Sequence, residues 1–158
     1  MIIKEHQIET IIGQNNPFAG FLVYGPNEGL VRDQINKISK KYIEEDKYEI
    51  INIGNKEIEA DFSLIDNTLK TVSMFSKGKV VIIESLKDKN LPILEDIIIE
   101  RPQNIILILK SENLSKLSKI RKYFELEERC YALPCYEEGS GTDSADHLEF
   151  RSCLINIF

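Results

Sequence analysis

Five short, mostly apolar runs alternate along this chain with segments of helical periodicity. The runs are residues 21–24, 48–53, 80–83, 105–109 and 130–133. Two of them, 80–83 and 105–109, contain only Val, Ile and Leu, which is typical of parallel strands buried on both faces. We therefore predict an α/β fold in three layers, in which helices cover both faces of a parallel sheet and these two strands lie at its centre.

Four segments between the runs carry apolar residues at helical spacing. They are residues 28–44, a helix that begins at Asp61 and stops before Gly78, residues 91–99, which precede Pro102, and residues 115–124. The positions predicted to face the core are Val31, Ile35, Ile38 and Tyr42 in the first helix, Phe62, Ile65, Leu69 and Val72 in the second, and Leu117, Ile120 and Phe124 in the fourth.

The turn between the first run and the first helix has the layout of a phosphate-binding loop but lacks its chemistry. Three residues separate Gly25 from Gly29 where the P-loop has four, and Leu30 and Val31 follow where it has Lys and Ser or Thr. Aliphatic side chains supply neither an ammonium group for the phosphates nor a hydroxyl group for magnesium. We predict a nucleotide-binding fold with a degenerate phosphate loop at Gly25, Asn27 and Gly29, although phosphate binding by the helix N-terminus stays open.

Length and charge limit the class of protein. The 158 residues, of which 42% are hydrophobic, are enough for one domain with a core. No apolar run approaches the roughly 18 residues that span a bilayer, and no leader pattern opens the chain, so we expect a cytoplasmic protein without a membrane partner. The net charge of −6 argues against a domain that coats nucleic acid and favours a protein partner.

Residue types that carry catalysis are sparse. The three cysteines, Cys130, Cys135 and Cys153, lack metal-ligand spacing, so we expect buried or incidental thiols and no metal site. Glu84 is a single carboxylate directly after the third run, at the place where an active ATPase has an Asp-Glu pair. No arrangement of nucleophile and base is evident, and no catalytic residue or cofactor is predicted.

Several segments, taken in order, resemble the delta subunit family of bacterial DNA polymerase III, the part of the clamp loader that opens the sliding clamp. The segments are residues 24–32, 69–75, 80–84, 117–125 and 133–138. The last of them, with Pro134, Cys135 and Tyr136, is similar to the alphaproteobacterial branch of the family. The resemblance implies a P-loop NTPase fold of the AAA+-like type that does not hydrolyse ATP.

The resemblance also implies a domain plan and a set of partners. Residues 1–138 would form the AAA+-like clamp-binding domain, and residues 139–158 a polar linker and a tail outside the family pattern, with the lid and collar domains absent. The implied partners are the beta sliding clamp and, in the full-length protein, the tau/gamma and delta prime subunits, with DNA contacted only indirectly. DNA-directed DNA polymerase activity, a nucleotidyltransferase activity, would belong to the polymerase III holoenzyme and not to this chain.

Met74 and Phe75 are the main candidate binding residues. From the residues alone the pair fits either core packing or an exposed anchor for a partner's pocket. The resemblance implies that the pair enters a hydrophobic pocket of the clamp, with Leu69 and Val72 in the same clamp-binding segment. Lys70, Lys77 and Lys79 flank the pair, either to steer it towards an acidic surface or as a solvated rim.

Two other classes of function remain open from the sequence. One is a divergent P-loop nucleotide hydrolase with an irregular phosphate loop. The other is a flavodoxin-like signalling or structural domain. The basic positions Lys116, Lys119, Arg121 and Lys122 fit a solvated helix face as well as a contact with a subunit or DNA.

Overall fold

The core of the protein is a five-stranded sheet in which every neighbouring pair of strands is parallel. A computed structural model describes residues 1–14, 18–61, 63–100 and 103–137. The strands are β1 (Phe18–Tyr24), β2 (Glu49–Ile53), β3 (Lys79–Glu84), β4 (Ile105–Ser111) and β5 (Cys130–Pro134). Their order across the sheet is β2-β3-β4-β1-β5. The predicted parallel sheet with β3 and β4 in its interior is confirmed.

Six helices within the described residues cover the two faces of this sheet. They are α1 (Ile8–Ile12), α2 (Glu28–Asp46), α3 (Asn55–Ala60), α4 (Ser63–Lys70), α5 (Leu91–Glu100) and α6 (Lys119–Leu126). Residues of α1 and α2 pack on one face, and residues of α3 to α6 pack on the other. The predicted three-layer arrangement is therefore confirmed, with β1, β3 and β4 buried between the layers.

The core-facing positions of α2 agree with the prediction. Val31, Ile35, Ile38 and Tyr42 are all buried in one cluster with β1, β3 and β4. The Tyr42 ring stacks on the Tyr48 ring with centroids 5.6 Å apart, which fixes the chain as it turns from α2 into β2.

The second predicted helix is shorter than expected, and Val72 is not in the core. Ile65 and Leu69 are buried as predicted, but α4 ends at Lys70 and Val72 is 86% exposed. The helix stops because the chain must turn back to reach β3, and the Thr71 hydroxyl group donates to the Asn67 carbonyl oxygen at 2.7 Å. Phe62 and Pro102 lie outside the described residues.

The prediction that Leu117 is buried is also wrong. Leu117 is 80% exposed because α6 begins only at Lys119, whereas Ile120 and Phe124 are buried as predicted. Ser118 is the N-cap residue, and its hydroxyl oxygen accepts from the Arg121 N–H at 3.4 Å. A cap at this position leaves Leu117 in the preceding loop.

The first residues of the chain, for which the sequence pattern predicted no structure, cover part of one face of the sheet and the free side of the outermost strand β5. Ile8, Ile11 and Ile12 of α1 are buried beside α2. The Ile3 N–H donates to the Ala132 carbonyl oxygen at 2.9 Å, so the first residues cover the outer edge of β5. In the part of the chain that the structure describes, no helix has the length and apolarity to cross a membrane.

A carboxylate from a distant turn caps α6. Asp88 accepts from the Lys119 N–H at 3.0 Å, the Ile120 N–H at 3.1 Å and the Ser118 hydroxyl group at 3.0 Å. Burial alone would raise the pKa of the Asp88 carboxyl group, but these hydrogen bonds outweigh it and the pKa lies below its usual value. Asp88 therefore joins the turn before α5 to the start of α6.

We predict that Asp88→Ala lowers the free energy of unfolding by about 1 kcal/mol at neutral pH, because the N–H groups that begin α6 lose their acceptor. A lowered folded-state pKa stabilises the fold above the unfolded-state value of about 4, and this contribution is lost as the pH falls through the folded-state pKa. Urea titrations should therefore show the difference between wild type and variant shrinking in acid. An equal loss in Asp96→Ala, which removes an exposed carboxylate from α5, would contradict this.

Candidate functional site

The two candidate sites lie at opposite edges of the parallel sheet. The degenerate phosphate loop follows β1, so it lies at the edge formed by the carboxyl ends of the strands, here the carboxyl edge. Residues 71–78 join α4 to β3, so they lie at the edge formed by the strands' amino ends, here the amino edge. We call residues 71–78 the apolar loop. Each site can be judged separately, because the length of the strands separates them.

The degenerate phosphate loop is occupied by contacts within the chain. The Asn27 side chain caps α2 by accepting from the Leu30 N–H at 3.0 Å, and its amide nitrogen donates to Glu137 Oε1 at 2.6 Å. The backbone after β5 packs directly on the loop, since a Cβ at Gly25 would overlap the Cys135 carbonyl group. The Cys135 N–H donates to the Tyr24 carbonyl oxygen at 2.7 Å.

These contacts do not fit ATP and magnesium. Two carboxylates, Glu28 in the first turn of α2 and Glu137 on Asn27, lie where a phosphate group would need positive charge. Val31 is buried in the core and so provides no ligand at the loop surface. The residues present therefore offer no lysine and no hydroxyl group for a bound nucleotide.

The remaining features of the carboxyl edge are ion pairs and ring contacts. Glu84 Oε1 lies 3.1 Å from Lys110 Nζ, so this strand-end carboxylate is paired with a neighbouring strand. The Arg121 guanidinium group lies 5.3 Å from the centre of the Tyr24 ring and 2.8 Å from Glu125 Oε1. Arg121 is thus partly buried and does not belong to the exposed basic positions Lys116, Lys119 and Lys122.

Metal and thiol chemistry find little support in the described residues. Across residues 1–14, 18–61, 63–100 and 103–137, no three His, Cys, Asp or Glu side chains come together as a metal site would need. Burial raises the pKa of the Cys130 thiol to about 12 and that of Cys135 to about 11, so both stay protonated at neutral pH. These two are buried thiols, as expected, and Cys153 lies outside the described residues.

The apolar loop presents three large apolar side chains to solvent. Val72, Met74 and Phe75 are exposed, the last two to 90% and 100%. Phe75 thus buries none of its ring in the free chain. Single exposed apolar residues are common on protein surfaces, but three within four positions of one short loop form the kind of patch that binds a partner.

The base of the apolar loop is closely packed, in contrast to its tip. The Glu49 N–H donates to the Gly78 carbonyl oxygen at 3.0 Å, and the Ser76 hydroxyl group donates to the same oxygen at 3.0 Å. A Cβ at Gly78 would overlap the Asn104 carbonyl oxygen and come within 2.6 Å of Tyr48 Cζ. Only glycine fits there, so the loop returns to the sheet at a fixed point.

The other residues of the predicted clamp-binding segment differ in their burial and in their partners. Leu69, in the last turn of α4, is buried in the core, so it supports the loop from inside. Lys77 is exposed, and Lys70 Nζ lies 2.8 Å from Asp66 Oδ2. Lys79 differs from both, because it is only 6% exposed and its ammonium group donates to the Thr68 carbonyl oxygen at 2.7 Å. The sequence had placed it with the flanking charges, since its backbone-carbonyl partners leave no mark in the sequence pattern.

The sequence of this chain matches the model of one known protein family. A sequence model of the family described as DNA polymerase III, delta subunit, matches residues 21–132, which is more than half of the chain. The chain belongs to this delta subunit family. The matched range of this delta-family chain includes both the degenerate phosphate loop and the apolar loop. Among curated proteins, no sequence matches the chain.

Solved structures agree with the fold of this delta-family chain. A DNA polymerase III, gamma subunit-related protein from Thermotoga maritima aligns with a TM-score of 0.55 and 15% identity, over 95% of this chain and 49% of its own. The Bacillus subtilis DNA clamp loader delta protein aligns with a TM-score of 0.54 and 14% identity, over 97% and 47%. At these identities the likeness shows the fold alone. The chain spans about half the length of both structures.

The geometry of the carboxyl edge predicts that this chain does not bind ATP. An equilibrium titration with labelled ATP and magnesium should show no saturation at micromolar nucleotide, because the loop lacks the lysine and hydroxyl group that hold the phosphates. The melting temperature should also be unchanged by ATP, since only a ligand that binds the folded state raises it. Micromolar affinity, or a rise in melting temperature, would favour a divergent nucleotide hydrolase.

Proposed function

We propose that this chain is a clamp-binding part of a clamp loader: it binds the DNA sliding clamp through its apolar loop and helps to open it, without hydrolysing ATP. The observation that carries the proposal is the exposure of Met74 and Phe75 on a loop whose base is fixed to the sheet. Membership of the delta subunit family supports a role in the clamp loader.

The two side chains have the properties of a binding anchor. A fully exposed phenylalanine has its whole ring, of the order of 150–250 Å², available to bury against a partner. Methionine adds a flexible, polarisable side chain that adapts to an irregular apolar pocket. Because a few central residues carry most of the energy of an interface, this pair is sufficient for an anchor without a large contact area.

Binding of this kind can contribute to opening the clamp only in one way. A ligand shifts an equilibrium between two conformations by the difference between its affinities for them. The proposed role therefore requires that the pocket for Met74 and Phe75 accepts them better in the opened or strained clamp than in the closed clamp. ATP hydrolysis would then belong to other subunits of the loader, which agrees with the poor fit of a nucleotide to Asn27 and Glu137.

The exposed side chains of the segment are the ones that we propose to contact the clamp. Val72 is placed with Met74 and Phe75 because all three project from the apolar loop. Leu69 is given a supporting role, because contact with a partner would require it to leave the core. The charge of Lys77, and that of Lys70 within its exposed ion pair, contribute to steering towards an acidic surface.

The wider context forms part of the same proposal. Residues 1–138 act as the AAA+-like clamp-binding domain, with the tau/gamma and delta prime subunits as partners in the full-length protein and with DNA contacted only indirectly. A cytoplasmic location follows from a role in replication. Polymerase activity resides in the holoenzyme.

The central test is the affinity of the 158-residue chain for the sliding clamp of the same organism. Met74→Ala with Phe75→Ala should weaken binding by about 2 kcal/mol or more, as truncation of a central anchor does. Surface plasmon resonance measures the affinity. Urea denaturation should find the stability of the double variant within about 0.5 kcal/mol of wild type, because both side chains are exposed.

Leu117→Ala is the matched control, because it removes another largely exposed apolar side chain, from the loop that follows β4 at the carboxyl edge. We expect its affinity for the clamp to equal that of wild type. A wild type that does not bind, or a folded double variant that binds as well as wild type, would remove the basis of the proposal.

A further inference from the structure

Lys79 occupies a position where the sheet pattern calls for an apolar residue. Side chains alternate between the faces of a strand, so Lys79 points to the same face of β3 as Val81 and Ile83. Those two residues lie in the core cluster that includes Ile65 and Leu69 of α4. A lysine side chain is seldom buried unless its ammonium group has partners.

The partners of Lys79 are the carbonyl groups at the end of α4. Its ammonium group donates to the carbonyl oxygen of Thr68 at 2.7 Å and to that of Thr71. The last carbonyl groups of a helix lack partners within the helix and carry the negative end of its dipole. A buried cation at this point therefore caps α4 and helps to stop it at Lys70.

The same residue also fixes the other end of the apolar loop. The Lys79 N–H donates to the Asn104 carbonyl oxygen at 2.9 Å, which sets the start of β3 against the start of β4. Its backbone thus follows directly on the end of the loop, while its side chain reaches back to Thr68 and Thr71, where α4 ends and the loop starts. The hydrogen bonds of Lys79 therefore close the apolar loop at its base, and Met74 and Phe75 lie at its tip.

We propose that Lys79 is a positioning residue for the apolar loop: its ammonium group ties the last turn of α4 to the first residue of β3 and so holds Val72, Met74 and Phe75 in the exposed arrangement that a partner's apolar pocket accepts. The consequence for binding rests on the proposed function, whereas the tie itself is a property of the free chain. A loop held in its bound shape loses less conformational entropy when it binds.

Hydrogen exchange on the free chain tests the tie without any partner. Lys79→Met keeps an unbranched apolar side chain and removes the ammonium donors, and Lys77→Met removes the same charge from an exposed position of the apolar loop. In Lys79→Met the amides of Thr71 and Lys77, which donate to Asn67 and Lys47, should exchange at least about tenfold faster than in wild type. Lys77→Met should leave Thr71 unchanged. Equal Thr71 exchange in wild type and Lys79→Met would overturn the inference.

Affinity for the sliding clamp tests the positioning role. Lys79→Met should bind about tenfold more weakly than wild type, because the loop must then be ordered on binding. Lys77→Met should lose much less, and Lys79→Arg, which keeps donors for both carbonyl groups, should recover most of the affinity. Circular dichroism and urea denaturation confirm that each variant is folded.

The outcomes separate the two proposals. If wild type binds, Met74→Ala with Phe75→Ala does not, and Lys79→Met binds like wild type, the positioning role is overturned while the clamp-binding role stands. Equal losses in Lys77→Met and Lys79→Met would assign the effect to charge and would also overturn it. If wild type does not bind the clamp, the proposed function fails and the positioning role fails with it, and the exchange rates alone decide whether the tie exists.

Discussion

The rest of the structure depends on the burial of a parallel sheet on both faces. Parallel strands need crossover connections, and here helices fill both faces, so the surfaces of the sheet layer itself are closed to ligands. What remains are the two edges where strands begin and end. In this chain the two edges differ in kind: contacts within the chain fill the carboxyl edge, whereas the amino edge carries an exposed apolar loop.

The contacts at the carboxyl edge are made within the chain itself. Asn27 takes over the capping of α2, Glu137 pairs with its amide group, and the Arg121 guanidinium group rests near the Tyr24 ring. The groups at this edge thus find their partners within the chain, which is consistent with the proposed binding role.

Local patterns in the sequence were sufficient for the sheet and for most of its helices. The runs of Val, Ile and Leu at 80–83 and 105–109 allowed β3 and β4 to be placed in the interior, because both faces of these strands are covered. The spacing of Val31, Ile35 and Ile38 likewise indicated the buried face of α2. In these elements the local pattern and the tertiary packing agree.

Tertiary contacts account for what the patterns missed. Val72 continues the apolar spacing of α4, but the helix ends at Lys70, where the Lys79 ammonium group donates to the Thr68 carbonyl oxygen of the last turn. The sequence pattern placed Leu117 on α6, yet Ser118 and the distant Asp88 cap a helix that begins at Lys119, two residues after Leu117. The exposure of Met74 and Phe75 could not be decided from the residues, because core packing and a surface anchor use the same side chains. The position of the loop relative to the sheet was needed to decide between burial and exposure of these two side chains.

Site-specific crosslinking tests most directly whether the amino edge is the surface that meets the clamp. A photoreactive benzoylphenylalanine would replace Phe75 in one variant and Leu117, at the carboxyl edge, in another, and each would be irradiated with the sliding clamp. A covalent adduct is expected from position 75 and none from position 117. An adduct from position 117 alone, or no adduct from position 75 in a complex shown to form, would contradict it.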